Sequence, residues 1–240
     1  MLELTVYHPA FGEPTGSPFA VKAICLLEQS GQPYTIKYTN DPRKAPNAKL
    51  PVLLHDGQVI PDSDAIRDHL EKTFQLDFDA GLDPQQRAVS RAVIRMAEED
   101  LYFGLLCDRW MNDDNWPALK AEFFGGMPFP ANLLVPALVR KSTISQAKAQ
   151  GMGRHSAAER VARVSKDFQA LSTLLGDQAF LFGTQPTAAD FSVVPMLRAL
   201  GTSPGQSAMK QAMLGFGNLA AYLETGKAAL YPKAKAAPAA

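Results

Sequence analysis

Residues 49–74, KLPVLLHDGQVIPDSDAIRDHLEKTF, carry the pattern that decides the fold. Two short apolar runs, Val52-Leu53-Leu54 and Gln58-Val59-Ile60, flank Asp56-Gly57, a dipeptide that tolerates the positive φ angles of a tight hairpin. Asp62 and Ser63 then stand where a helix through DAIRDHLEKTF needs a side-chain acceptor for its first free N–H groups. The segment predicts strand, hairpin, strand, helix. Upstream, DPRKAPNAK (41–49) carries two prolines and is at best a broken helix, and PYTIKY (33–38) reads as a strand. Ser17-Pro18 opens a helix with a hydroxyl N-cap and a proline at the first helical position. FAVKAICLLEQS is apolar on most sides, so that helix is largely buried, and Gly31 closes it. LELTVY (2–7) alternates Leu2, Leu4 and Val6 against Glu3, Thr5 and Tyr7, the period of a strand. Residues 1–74 thus predict a small α/β domain.

Downstream the regime changes. QLDFDAGLD (75–83) is a linker, and beyond Pro84 every periodic segment reads as helix: 84–113, 131–149, 156–175, 187–200 and 208–224. Ser156-x-x-Glu159 is a capping box, and Thr187-x-x-Asp190 repeats its logic with a shorter acid. The expected second domain is all-helical and spans 84–232; residues 233–240 have no apolar face and predict a mobile tail.

The chain has 240 residues, 46% hydrophobic and 20% charged, enough for an ordinary core. Its 24 basic residues match 24 acidic ones. Residues 1–74 hold 7 basic and 9 acidic (−2), and residues 75–240 hold 17 and 15 (+2), so neither half has the field of a nucleic-acid groove or an anionic membrane surface. Two cysteines, Cys25 and Cys107, exclude a disulfide framework and a cysteine-built zinc site, and the four histidines lack metal-ligand spacing. The first residues lack the basic-then-apolar pattern of a signal peptide, and no apolar run approaches a membrane span. These features predict a soluble, cytoplasmic protein without a metal.

The order of elements, with Ser17-Pro18-Phe19-Ala20 opening the first helix, Leu50-Pro51-Val52 before the third strand and Asp62-Ser63 opening the next helix, resembles the glutathione S-transferase fold. That fold joins a thioredoxin-like N-terminal domain to a helical bundle. Ser17-Pro18-Phe19, DPRKAP-x-x-KLP, GRHS and FLFG-x-x-PT-x-AD look most like the branch of metaxins and failed-axon-connections proteins, many of whose members are not established transferases.

The resemblance implies glutathione as cosubstrate and a site built from these residues. Ser17, at a helix N-terminus that favours anions, could hydrogen-bond the glutathione sulfur and hold it as thiolate; it could equally serve only as a cap. Ser17 and Ala20 replace the redox sulfurs, and serine cannot form a mixed disulfide, so glutaredoxin-type exchange at this position is excluded. Cys25 lies eight residues on, about 12 Å along the helix at 1.5 Å per residue, too far to substitute. Tyr7, ending the first strand, is the runner-up for the thiol contact. Leu50, a cis Pro51 and Val52 would meet the cysteinyl backbone; Asp62 and Ser63 the γ-glutamyl end; and Lys49, with Lys44, the glycyl carboxylate.

Val89, Val93, Met96, Asp100, Phe103, Cys107 and Trp110 fall at alternating spacings of four and three, a continuous stripe on one helix. Phe103, Cys107 and Trp110 are expected to line an apolar acceptor pocket. Asp100 is expected either to face it or to pair with an arginine on an adjoining helix. The implied function is a serine-type glutathione transferase that detoxifies small, mainly apolar electrophiles, as a homodimer by analogy. Two alternatives stay open: a non-catalytic scaffold on the same fold, and a glutathione-dependent peroxidase or isomerase.

Overall fold

The computed structural model describes residues 1–205 and 207–232; the tail expected at 233–240 lies outside the described residues. β1 (Leu2–Val6) runs parallel to β2 (Tyr34–Tyr38) and antiparallel to β3 (Val52–His55), which pairs with β4 (Gln58–Pro61) in a sheet of order β2-β1-β3-β4. Register brings Leu4 opposite Ile36 on one side and Leu53 on the other, and Leu53 opposite Ile60. Asp56 (φ 48°) and Gly57 (φ 83°) make the hairpin turn with the positive angles their types tolerate.

α1 (Pro18–Ser30) and α2 (Ser63–Phe74) supply Ile24, Leu27, Ile66 and Leu70 to a core shared with Leu4, Val6 and Leu53. Gly31 ends α1 in the left-handed region (φ 67°), donating its N–H to Glu28. DPRKAPNAK forms two short 3₁₀ turns, Pro42–Lys44 and Pro46–Ala48. Residues 75–83 contain no helix or strand, yet they are anchored: Phe78 packs on Phe191 and Asp79 accepts hydrogen bonds from Ser90 Oγ (3.0 Å) and the Ala188 N–H (3.1 Å).

Helices follow. α3 (Pro84–Arg95) passes through a wide i→i+5 turn at Met96–Leu101 into α4 (Tyr102–Trp110), and then come α5 (Trp116–Phe124), α6 (Ala131–Gln150) and α7 (Ala157–Leu175). α8 (Ala188–Gly201), α9 (Ala208–Leu214) and α10 (Gly217–Leu230) complete the described chain. α8 is buried from Ala188 to Leu200, on every side, and forms the spine of this half. Both capping boxes form, at Ser156/Glu159 and Thr187/Asp190. The architecture is a thioredoxin-like unit followed by a helical one, and the strand-like feature among the described residues of the second half is an isolated bridge, Phe180–Gly183.

Three readings change. α5 was not expected: it is nine residues long and begins with Trp116-Pro117, too short for a period to show. The helix expected over 208–224 breaks at Gly215–Phe216 into α9 and α10. The stripe from Val89 to Trp110 does not hold one interior face, because the wide turn takes up an extra residue. Buried positions instead run Ile94, Ala97, Glu98, Leu101 and Leu105, so the interior carboxylate is Glu98 and Asp100 is exposed.

Two buried charge clusters tie the halves together. Lys22 of α1 donates to Asp64 of α2 (2.6 Å) and Glu98 (2.6 Å), and Glu98 also accepts from Ser192 of α8 (2.9 Å). Glu13, in the loop between β1 and α1, accepts from Arg198 of α8 (3.0 Å) and from the Tyr231 hydroxyl (2.6 Å).

Candidate functional site

The N-terminus of α1 is the centre of the candidate site implied by the sequence. Ser17 is its N-cap by backbone geometry (φ −112°, ψ 124°), but its hydroxyl makes no capping hydrogen bond. The Ser17 carbonyl receives the Ala20 and Val21 N–H groups, and the Phe19 N–H has no partner among the described residues. An open hydroxyl thus stands at the positive end of a thirteen-residue helix. Cys25 is fully buried, and burial pushes its thiol pKa up, so it offers no thiolate.

The loop ahead of Ser17 is held against the helical half. Phe11 meets Phe123 edge-on (5.2 Å between ring centres), and its N–H donates to Glu122 (2.8 Å). Arg109 of α4 is buried and donates to Ser203 Oγ (2.8 Å), the Ala199 carbonyl (2.6 Å) and, at 3.4 Å, the Gly16 carbonyl. No carboxylate among the described residues lies within ion-pairing distance of Arg109, and burial lowers its pKa to about 10, so it still carries a charge at neutral pH. That cation sits one residue from Ser17.

Leu50–Pro51 is a cis peptide, as expected from its place before β3. Val52 lies between Thr5 and Pro61 in the sheet, so its backbone is occupied by neighbouring strands. Leu50 precedes the ladder, and its backbone N–H and C=O have no partner among the described residues. Asp62 adopts φ 78°, a strained angle for a residue with a Cβ. Its N–H donates to the Pro51 carbonyl (3.2 Å), and its carboxylate accepts from the Asp64 N–H (2.8 Å). Beside it, Ser63 is 1% exposed and its hydroxyl has no hydrogen-bond partner. Lys49 and Lys44 are exposed.

Tyr7 follows β1 and is half-buried; burial pushes its phenol pKa up. Tyr102 packs on Phe19 of the first turn of α1 (4.7 Å, edge-on), and burial, with Tyr7 nearby, pushes it up to about 12. Both phenols therefore stay protonated at neutral pH. No local sequence signal tells that Tyr102 meets α1.

The four expected acceptor-side residues are not brought together. Phe103 packs on Tyr102, and Trp110 stacks on Phe123 (6.0 Å) within a group that includes Trp116 and Phe124. Cys107 is fully buried in the core, and Asp100 lies exposed beside Asp167, with no arginine paired to it among the described residues. His55 and His69, unrelated by spacing, meet at 2.9 Å between ring nitrogens. Among the described residues no group of three or more His, Cys, Asp or Glu is placed to hold a metal ion.

A sheet of this order, with α1 following β1 and a cis-proline ahead of β3, defines a thioredoxin-like class. A family model for the glutathione S-transferase N-terminal domain matches residues 18–115, and one for the C-terminal domain matches 164–225. An isoprene-epoxide glutathione S-transferase of Rhodococcus sp. (strain AD45) is 30% identical over 86% of this chain and 89% of its own. Mouse Metaxin-1 is 28% identical over 92% of this chain and 72% of its own. A glutathione S-transferase of Ceriporiopsis subvermispora in complex with glutathione superposes with a TM-score of 0.67 at 18% identity, covering 98% of this chain and 99% of that one; the likeness speaks to fold. The chain belongs to the glutathione S-transferase superfamily, in its metaxin branch. The expectation of a cytoplasmic protein is corrected by the same branch. A relative of Arabidopsis thaliana, 23% identical over 98% of this chain and 74% of its own, is named a mitochondrial outer membrane import complex protein. A missing leader pattern carries no compartment.

Proposed function

We propose that the chain binds glutathione and that Ser17 holds its thiol as thiolate for attack on small, mainly apolar electrophiles. The observation that carries this reading is the Ser17 hydroxyl, at the positive end of α1 and unused as a cap. The chain's groups fit glutathione. The free Leu50 backbone pair can take the cysteinyl amide, and the orphaned Ser63 hydroxyl with Asp62 at the start of α2 can take the γ-glutamyl carboxylate and ammonium. Lys49 is free to meet the glycyl carboxylate. Bound glutathione supplies the nucleophilic sulfur. Ser17 donates a hydrogen bond to that sulfur, the α1 N-terminus and buried Arg109 favour its negative charge, and Tyr7 and Tyr102 stay protonated as donors beside it. The relative named for an isoprene epoxide supports an electrophile of that size. The homodimer is part of the proposal, and sedimentation at the single-chain mass of 26.0 kDa would remove it.

A scaffold without catalysis is the second reading, favoured by the metaxin names among the relatives. Calorimetry separates the two: sub-millimolar glutathione binding supports the first, and no binding at several millimolar supports the scaffold. Peroxide reduction or isomerisation would use the same thiolate, and assays with those substrates separate them from transfer. Ser17→Ala should leave glutathione affinity within a few-fold while the rate falls and the bound thiol pKa rises by about one to two units, the loss of one hydrogen bond to a charged group. An unchanged thiol pKa and rate would remove Ser17 from the mechanism and leave Tyr7.

A further inference from the structure

Large apolar side chains exposed at the surface are ordinarily scattered. Here four of the ten among the described residues fall within ten positions: Phe129 (78% exposed), Leu133 (59%), Leu134 (63%) and Leu138 (66%). Leu134 and Leu138 are one helical turn apart on α6, and Leu133 lies beside them, so with Phe129 just ahead of the helix they form one projecting ridge. Phe129, Leu134 and Leu138 stand out from the fold, and Leu133 also borders a neighbouring groove.

Along the chain, the charge flanking the ridge has one sign. No Asp or Glu occurs between Glu122 and Glu159, while Arg140, Lys141, Lys148 and Arg154 do. Lys141 follows Leu134 and Leu138 at the next helical spacing. With Lys120 and Lys148 it borders a groove of about 580 Å³ beside the ridge, floored by Trp116, Pro136 and Ile144. None of these three lysines is within ion-pairing distance of a carboxylate among the described residues; the acid on the rim, Asp113, is held by Arg140 at 2.6 Å. The near-balanced charge of residues 75–240 averages over this stretch and conceals it.

We propose that the exposed face of α6 docks on an anionic bilayer surface. The ridge sinks into the headgroup–acyl boundary, and the lysines reach the lipid phosphates over their flexible stems. Among the described residues no helix is long and apolar enough to cross a membrane, so the contact lies in the interface plane. An apolar ridge flanked by unpaired lysines complements such a surface in both polarity and sign.

The test is flotation of the full chain with vesicles of phosphatidylcholine and phosphatidylglycerol, or of phosphatidylcholine alone, at low and high salt. Binding is expected to the mixed vesicles, at least about ten-fold stronger than to the neutral ones, and to weaken with salt. Lys141→Gln with Lys148→Gln should weaken it by about 25-fold, roughly five-fold per lysine. Leu134→Ser with Leu138→Ser alters exposed positions, so it should lower binding about ten-fold with an unchanged thermal midpoint. Equal binding by the variants, no preference for anionic vesicles, or capture of an acidic amphipathic peptide without vesicle binding would each overturn the proposal. The experiment is independent of whether Ser17 meets a thiol.

Discussion

Lys22 is the sharpest place to perturb this fold. Its ammonium is 1% exposed in the middle of α1 and bridges two carboxylates, Asp64 and Glu98, each at 2.6 Å. Asp64 has a second cation, Arg91 at 2.6 Å, whereas Glu98 keeps only the Ser192 hydroxyl if the lysine is removed. Lys22→Met preserves length and apolar stem but leaves Glu98 charged, buried and without a counter-ion. Breaking a buried pair in this way costs about 3–5 kcal/mol. With an m value of about 3 kcal/mol per molar urea, the unfolding midpoint should drop by roughly 1–1.7 M. The double variant Lys22→Met, Glu98→Gln removes the stranded charge while its amide can still meet Ser192. It should recover at least about 2 kcal/mol of the loss, since contacting groups are strongly coupled. Equilibrium urea unfolding of the four proteins in the cycle gives the coupling directly. A single-variant cost below about 1 kcal/mol, or a double variant no more stable than Lys22→Met, would refute the view that Lys22 is what makes Glu98 tolerable.

Burial alone would raise the Asp64 carboxyl, but Lys22 and Arg91 overcome it and hold its pKa well below the usual range. Its contribution to stability is therefore present above the unfolded pKa of about 3.9 and lost as pH falls below that; Arg91→Ala should make the acid loss shallower in denaturation curves taken at stepped pH. Asp167 goes the other way, pushed up to about 6 by burial first and by Asp100 second. The folded state keeps a proton that the unfolded state releases, so stability should decline as pH rises from about 4 toward 6, and Asp100→Asn should flatten that slope. Tyr231→Phe removes the hydroxyl that donates to buried Glu13 at 2.6 Å and should cost about 1.5–3 kcal/mol in the same urea assay; a cost near zero would mean that Arg198 alone holds that loop.

What could be read in the sequence was what is settled within a few residues. Ser17-Pro18, Gly31, Asp56-Gly57, Ser156-x-x-Glu159 and Thr187-x-x-Asp190 each stop, start or turn the chain by local backbone chemistry, and the structure uses every one of them at that place. The cis-proline at Leu50-Pro51 and the helix start at Asp62-Ser63 were legible for the same reason, since both sit at element boundaries. The failures share a different property. The face of the 84–110 helix depends on a wide turn that no residue type announces, and the neighbours of Ser17 come from far along the chain: Tyr102 against Phe19, Arg109 against Gly16.

Charge buried inside apolar surroundings is the intermediate case. FAVKAICLLEQS is apolar nearly all round, and a helix of that kind cannot keep Lys22 in water. The sequence therefore states a demand for a buried anion without naming the supplier, which turns out to be 76 residues away at Glu98 as well as 42 away at Asp64. Glu13 and Arg198 answer each other across 185 residues, from a Gly/Pro loop and from the interior of α8. In both clusters one partner belongs to the first 74 residues and another to the helical half. The demand is local, but meeting it requires the two halves to dock. The clusters thus fix which surface of the helices faces α1, and with it the placement of Arg109 against Gly16 and Tyr102 against Phe19. A variant that weakens either cluster should therefore disturb the Ser17 site before it unfolds either half.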